Sequence, residues 1–155
     1  GKKWFGGGAD MTPSIFNEDD VNFFHKSIEN VCDKHDKKYY PDFRKQCDEY
    51  FYLPHRDEPR GEGGIFFDHL NNNDFKRDFD FIHDFGEDIL KTICSIIEIR
   101  KDKTWSQEEK DIQLYKRGRY VEFNLLWDRG TLFGLKTGGS TEAILMSMPP
   151  TAKWK

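Results

Sequence analysis

Val21, Phe24, Ile28, Val31 and Cys32 recur at helical spacing. They follow Asn17-Glu18-Asp19-Asp20, which reads as an N-cap residue and an acidic first turn. The spacing predicts a helix from about 18 to 33 with one apolar face. Such a face has to be buried, so the chain must build a core around it. It has the material: aromatic residues make up 15%, with 14 Phe, 6 Tyr and 4 Trp. That places it outside the disordered class. A length of 155 residues allows one domain or a large piece of one.

Other elements follow from local signals. The stretch Lys2 to Gly8 reads as a strand running into a tight Gly-rich loop. Pro41 suits the first position of a second helix through Phe43 and Cys47 to about Phe51. Gly61-Glu62-Gly63-Gly64 breaks the chain before a short buried strand, Ile65-Phe66-Phe67. Asn71-Asn72-Asn73-Asp74 is a turn and helix start, with two helical segments expected over about 74 to 100. Thr104 with Gln107 suggests a capping box for a helix ending near Arg117. From Arg119 to Asp128 the residues alternate. Val121, Phe123, Leu125 and Trp127 share one face of an expected strand, and Tyr120, Glu122, Asn124 and Leu126 the other. Phe133-Gly134-Leu135 and Ala143 to Met148 are expected as further strands joined through Gly138-Gly139. Helices first and strands last point to an α+β fold with an antiparallel sheet.

Composition removes several functions. The 24 basic and 28 acidic residues give a net charge of −4, which argues against a general nucleic-acid binder. Mean hydropathy is −0.83, and no stretch approaches the roughly 20 apolar residues of a membrane span. Cys32, Cys47 and Cys94 form no Cys-x-x-Cys pair, so neither a zinc knuckle nor a disulfide scaffold is indicated. Three free thiols fit a reducing compartment. The chain opens at Gly1 and its first Met is Met11, so it reads as a piece of a longer protein. Gly134-x-x-x-x-Gly139-Ser140-Thr141 brushes a phosphate-loop pattern but lacks the lysine that neutralises the phosphates.

Some polar groupings remain. Asp10 follows Gly6-Gly7-Gly8, where a carboxylate could face a cleft or could bond its own turn. His55-Arg56-x-x-x-Arg60 and Lys116-Arg117-Gly118-Arg119 gather guanidinium groups, which grip carboxylates bidentately. They could seat a polycarboxylate ligand, or pair with Asp57, Glu58 and Glu122 nearby. Asp128-Arg129-Gly130-Thr131 reads as a structural turn. His25, beside Val21 and Ile28, reads first as a rim or core histidine.

Together these segments resemble the oxygen-dependent coproporphyrinogen III oxidase family. The resemblance lies in Trp4-Phe5-Gly6-Gly7-Gly8-Ala9-Asp10-Met11-Thr12-Pro13, Cys47 to Leu53, His55-Arg56, and Arg60-Gly61-x-Gly63-Gly64-Ile65-Phe66-Phe67-Asp68. It continues through Arg117 to Leu126, Asp128-Arg129-Gly130-Thr131 and Ile144 to Pro150. Order and spacing match from end to end, over what would be about the C-terminal half of a single family domain, so residues 1–155 are expected to be that part.

The resemblance implies a large antiparallel β-sheet flanked by helices on both faces. It implies oxidative decarboxylation of two propionates of coproporphyrinogen III to vinyl groups, with O2 as co-substrate, giving protoporphyrinogen IX, CO2 and hydrogen peroxide. No cofactor is required, and the expected compartment is the cytoplasm, or the mitochondrion where the pathway is organellar. It makes Asp10 the essential carboxylate, accepting pyrrole N–H bonds. Arg60, Arg117 and Arg129 become candidate propionate clamps, and Gly138, Gly139 and Ser140 the substrate-contacting turn. His25 and His55 match histidines offered as ligands to a divalent metal. A homodimer through Tyr120 to Lys155 is implied. Ser140 stands where the family carries Arg, which removes one clamp, and Ala143 stands where it carries Ser. Other readings stay open: a non-catalytic porphyrin or polycarboxylate-binding module, or a dimerisation fragment.

Overall fold

A computed structural model describes residues 3–155. They fall into two compact units. The first comprises the described residues through Phe51 together with Gly61–Lys103, and the second Tyr52–Arg60 with Thr104–Lys155.

In the first unit, strand β1 (Phe5–Met11) is followed by helices α1 (Glu18–His35) and α2 (Tyr39–Tyr50). After the chain leaves at Phe51 and returns at Gly61 come strand β4 (Gly63–Leu70) and helix α3 (Phe75–Arg100). Helix α1 forms where its stripe predicts it. The Asn17 side chain accepts from the Asp20 N–H at 3.0 Å, and Phe24, Ile28, Val31 and Cys32 are buried. Helix α2 begins at Tyr39, so Pro41 sits third in the helix. It is still within the first turn, where its missing N–H breaks no bond. Asp74 caps α3, accepting from the Arg77 N–H at 3.1 Å. The expected pair of segments over 74 to 100 is one continuous helix. Gly86 lies inside it, at a cost of about 1 kcal/mol relative to Ala, and its buried face carries Phe81 and Phe85.

Strands β1 and β4 pair antiparallel, with Gly8 opposite Phe66, Ala9 opposite Ile65 and Asp10 opposite Gly64. Their approach demands the glycine at 64: a Cβ there would lie 2.0 Å from the Ala9 carbonyl oxygen. The core is aromatic. Phe67 packs on Phe43 at 4.7 Å and on Phe81 at 5.5 Å between ring centroids.

In the second unit, strands β2 (Tyr52–Leu53) and β3 (Glu58–Pro59) form a small antiparallel hairpin. Helices α4 (Gln107–Leu126), α5 (Arg129–Lys136) and α6 (Thr141–Ile144) follow. Here the expectation fails. Arg119 to Leu126 is the C-terminal part of α4, Phe133-Gly134-Leu135 lies in α5, and Ala143-Ile144 belongs to α6. The capping box is Ser106 with Glu109, not Thr104 with Gln107. Its helix runs through Gly118 because that glycine is a contact site and not a break. A Cβ at 118 would lie 2.4 Å from the Lys153 carbonyl oxygen. Once α4 continues, the alternation over 120–127 loses its meaning: Arg119 and Phe123, four apart, are the buried pair.

The class is therefore α+β, with two-stranded antiparallel sheets among the described residues. No helix of the described residues is long and apolar enough to cross a membrane.

Candidate functional site

Each unit carries part of the expected site. In the first, β1 ends at the turn that begins β4. The Glu62 N–H donates to the Met11 carbonyl at 2.8 Å, and Asp10 is held opposite Gly64. Gly63, at φ +77, turns the chain there in a left-handed conformation that suits glycine. The Asp10 carboxylate is half-buried and accepts from the Thr12 hydroxyl at 3.4 Å.

His25 closes the same turn. Its Nε2 lies 3.0 Å from the Glu62 carbonyl oxygen, and its Nδ1 lies 3.0 Å from the Tyr40 hydroxyl. A carbonyl only accepts, so Nε2 carries the proton. Arg44 donates to the Tyr40 oxygen at 3.0 Å, which leaves the Tyr40 O–H to donate to Nδ1. This is the pattern that the neutral imidazole adopts, with Nδ1 as the acceptor. Burial pushes its pKa below the ordinary value, against the opposing pull of the Glu62 carbonyl bond. The neutral form is the one folding favours. The linked stability is present above the ordinary histidine pKa and declines as pH falls through the lowered one.

The second unit holds a denser network. Glu122 accepts from Arg56 Nη2 at 2.6 Å and Arg56 Nε at 2.9 Å. It also accepts from His55 Nε2 at 2.7 Å and from Arg119 Nη1 at 3.4 Å. The Arg56 bonds, with help from His55 and Arg119 and against partial burial, hold its carboxyl down at about 2. Trp127 Nε1 donates to His55 Nδ1 at 3.0 Å. An indole N–H only donates, so His55 is the Nε2–H tautomer. Arg119, 5% exposed, donates to Glu58 at 2.5 Å and to the Tyr115 hydroxyl. These bonds tie the β2–β3 hairpin to α4.

Arg60 is buried, with its guanidinium 5.3 Å from the Tyr120 ring centre and 4.9 Å from that of Phe123. Arg117 is exposed, 5.6 Å from the same Tyr120 ring. Tyr120 thus brings two of the three expected clamps together. Arg129 opens α5, whose N-cap Asp128 accepts from the Thr131 N–H at 2.6 Å. Gly138, Gly139 and Ser140 are exposed between α5 and α6. Ser140 is the N-cap of α6 and accepts from the Ala143 N–H at 3.4 Å.

Among the described residues, no group of three or more His, Cys, Asp or Glu is placed to hold a metal ion. Both ring nitrogens of His25 and of His55 are engaged within their own units. The sequence reading places Tyr120 and Trp127 on a strand and does not single out Tyr40. Glu122 was visible as an ion-pair partner, but its meeting with two guanidinium groups and the His55 imidazole needs helical spacing across 119–122.

Comparison with known proteins adds an independent finding. The family model for coproporphyrinogen III oxidase matches residues 1–155. The oxygen-dependent coproporphyrinogen-III oxidase of Rickettsia bellii is 56% identical over 153 residues, which is 99% of this chain and 55% of that protein. The protein of the same name from Francisella tularensis is 57% identical over 152 residues, 98% of this chain and 49% of its own length. The chain spans about half the length of the curated relatives it matches.

Proposed function

The chain belongs to the coproporphyrinogen III oxidase family, and on that premise we propose that it supplies part of the substrate site of an oxygen-dependent coproporphyrinogen III oxidase. The reaction converts each of two –CH2–CH2–COOH arms, with one O2, to a vinyl group, CO2 and H2O2. Carbon leaves as CO2, and the two hydrogens go to oxygen as peroxide.

In this reading Asp10 lies under the centre of the tetrapyrrole and accepts pyrrole N–H bonds. An ionised carboxylate there raises the electron density of the ring and assists proton loss towards the anion that reacts with O2. Arg60, Arg117 and Arg129 seat propionates by charge-assisted bonds. Arg60 is held by the Tyr120 and Phe123 rings, so its orientation is set before substrate arrives. The turn at Gly138, Gly139 and Ser140 contributes backbone N–H groups and a hydroxyl in place of the family arginine. His25 and His55 act as hydrogen-bonding residues that hold the turn at the start of β4 and the β2–β3 hairpin, and O2 is the co-substrate. A chelator is expected to leave turnover unchanged.

Two wider readings belong with this one. Strands β1 and β4 are two members of a larger antiparallel sheet, flanked by helices on both faces, which the remainder of a family-length protein completes. The segment from Tyr120 to Lys155 carries a homodimer contact, supported by the exposure of Leu126, Trp127, Phe133 and Met146. Three free thiols support a cytoplasmic setting.

The observation that carries the reading is the family match over the whole chain, together with Asp10 held in register by the glycine at 64. Aerobic incubation of the intact protein with coproporphyrinogen III is expected to yield protoporphyrin fluorescence after oxidation. A folded protein that gives no product contradicts it. Ser140, which serves as a helix cap and brings no guanidinium, favours one second reading: a porphyrin-binding module without turnover. Tight porphyrin binding with no O2 consumption would establish that reading instead.

A further inference from the structure

The chain is acidic overall, with 28 acidic and 24 basic residues, yet one groove of the second unit has a lining without a carboxylate. It measures about 420 Å³ and lies between α4, which contributes Lys110, Gln113 and Arg117, and the C-terminal segment, which contributes Ser147, Pro149 and Thr151. Positions 110, 113 and 117 fall on one helical face. Lys110 and Arg117 are two turns apart, about 10.5 Å along the axis, and both side chains are long enough to converge.

Among the described residues neither cation is neutralised by a carboxylate. Lys110 donates to Gln113 at 2.6 Å, which leaves two ammonium protons. Arg117 lies over the Tyr120 ring, a stacking contact that uses the guanidinium face and leaves its N–H edge available. Among the described residues neither has an ion-pair partner. Neighbouring cations do: Arg119 pairs with Glu58, and Lys153 with Asp111 at 2.6 Å.

The opposite wall is fixed. The Lys153 N–H donates to the Leu114 carbonyl at 2.9 Å, and Gly118 lets the Lys153 carbonyl rest against the helix. This holds Thr151 two residues away, while Pro149 and Pro150 stiffen the approach. Two charged donors and two hydroxyls therefore line a concave wall that is positioned in advance.

We propose that this groove is a carboxylate-binding site, in which Lys110 acts with Arg117 to hold an acidic arm of the ligand, assisted by the Ser147 and Thr151 hydroxyls. This deepens the tetrapyrrole reading and rests on it for the identity of the arm. It also adds a lysine clamp where the resemblance supplies arginines alone.

The test uses the intact protein and coproporphyrin, a stable tetracarboxylate. The wild-type protein binds it, Lys110→Met weakens binding about five- to tenfold, and Lys110→Arg stays within about twofold of wild type. Unchanged circular dichroism and Tm establish that the variants are folded. If the wild-type protein binds coproporphyrin and Lys110→Met binds it equally well, the groove assignment is overturned while the tetrapyrrole reading survives. If the wild-type protein does not bind coproporphyrin, the tetrapyrrole reading fails. The groove is then decided by glutarate, and the absence of Lys110-dependent amide shifts at Ser147 and Thr151 overturns it as well.

Discussion

The two units are held together by different physics. The first buries Phe24, Phe43, Phe67, Phe81 and Phe85 with Ile28, Val31 and Ile65 around them. Its core is continuous and aromatic. The second buries only Leu53 and Phe123 among apolar residues, alongside Arg60, Arg119, Asn124 and Thr131. Its cohesion comes from Glu122, Glu58 and the cations around them, and it leaves Trp105, Phe133 and Met146 exposed. Hydrophobic burial is non-directional and scales with area, whereas a charge network depends on each partner and on pH. The first unit can thus hold Asp10 on a strand whose register is fixed by packing. The second carries the arginines in a setting that titration and single substitutions can loosen.

The contrast can be broken most severely at Phe81, which is fully buried and touches the rings of Tyr39, Phe43, Phe67 and Phe85. Phe81→Ala is expected to cost about 3–5 kcal/mol in denaturant unfolding of the intact protein. A loss below about 1 kcal/mol would mean that the aromatic cluster is not the main support.

The matching change in the second unit is Glu122→Gln. It removes the charge and one of the two acceptor oxygens that His55, Arg56 and Arg119 share, and an expected loss of about 2 kcal/mol follows from charged hydrogen bonds. The pH dependence sharpens this. A carboxyl depressed to about 2 in the folded state, from an ordinary value of 4.5, contributes stability at neutral pH. That contribution is lost as pH falls from about 4.5 through about 2. The wild-type protein should show this acid decline, and Glu122→Gln should lack that component.

Gly118→Ala has a smaller expected effect. Its methyl would meet the Lys153 carbonyl at 2.4 Å, so the C-terminal segment must shift, at a cost of about 1–2 kcal/mol. Increased proteolysis after Lys153 and a change in Trp154 fluorescence would report the displacement. The smallest effect is chemical and leaves stability untouched. Burial pushes the Cys32 thiol up to about 12, while Cys94 is exposed. Alkylation of the native protein at pH 8 should label Cys94 and spare Cys32 and Cys47. Equal labelling would show that the first unit opens freely.

The same contrast explains what the sequence discloses. Helix α1, the Asp74 cap and the buried Ile65 and Phe67 were legible because apolar periodicity and capping are local signals, and the first unit is built on them. Residues 119–128 were misread as a strand because Tyr120 to Trp127 is so rich in large side chains that two periods fit. The tertiary reason for helix, the Lys153 carbonyl against Gly118, comes from 35 residues further along the chain. Ser140 was judged by the arginine it replaces, while its local role is to cap α6. Gly6, Gly7 and Gly8 read as a tight loop ahead of Asp10, whereas all four residues lie within β1. The reason for those glycines, close pairing of β1 with β4, requires the partner strand. The Glu122 network was only half visible, because a hairpin and a helix more than sixty residues apart must first be brought together.

The measurement that bears most directly on the account is turnover of coproporphyrinogen III by Asp10→Ala in the intact protein. The account predicts a loss of about a hundredfold or more, with Tm and circular dichroism close to wild type. Turnover within about twofold of wild type would contradict it and remove Asp10 from the site.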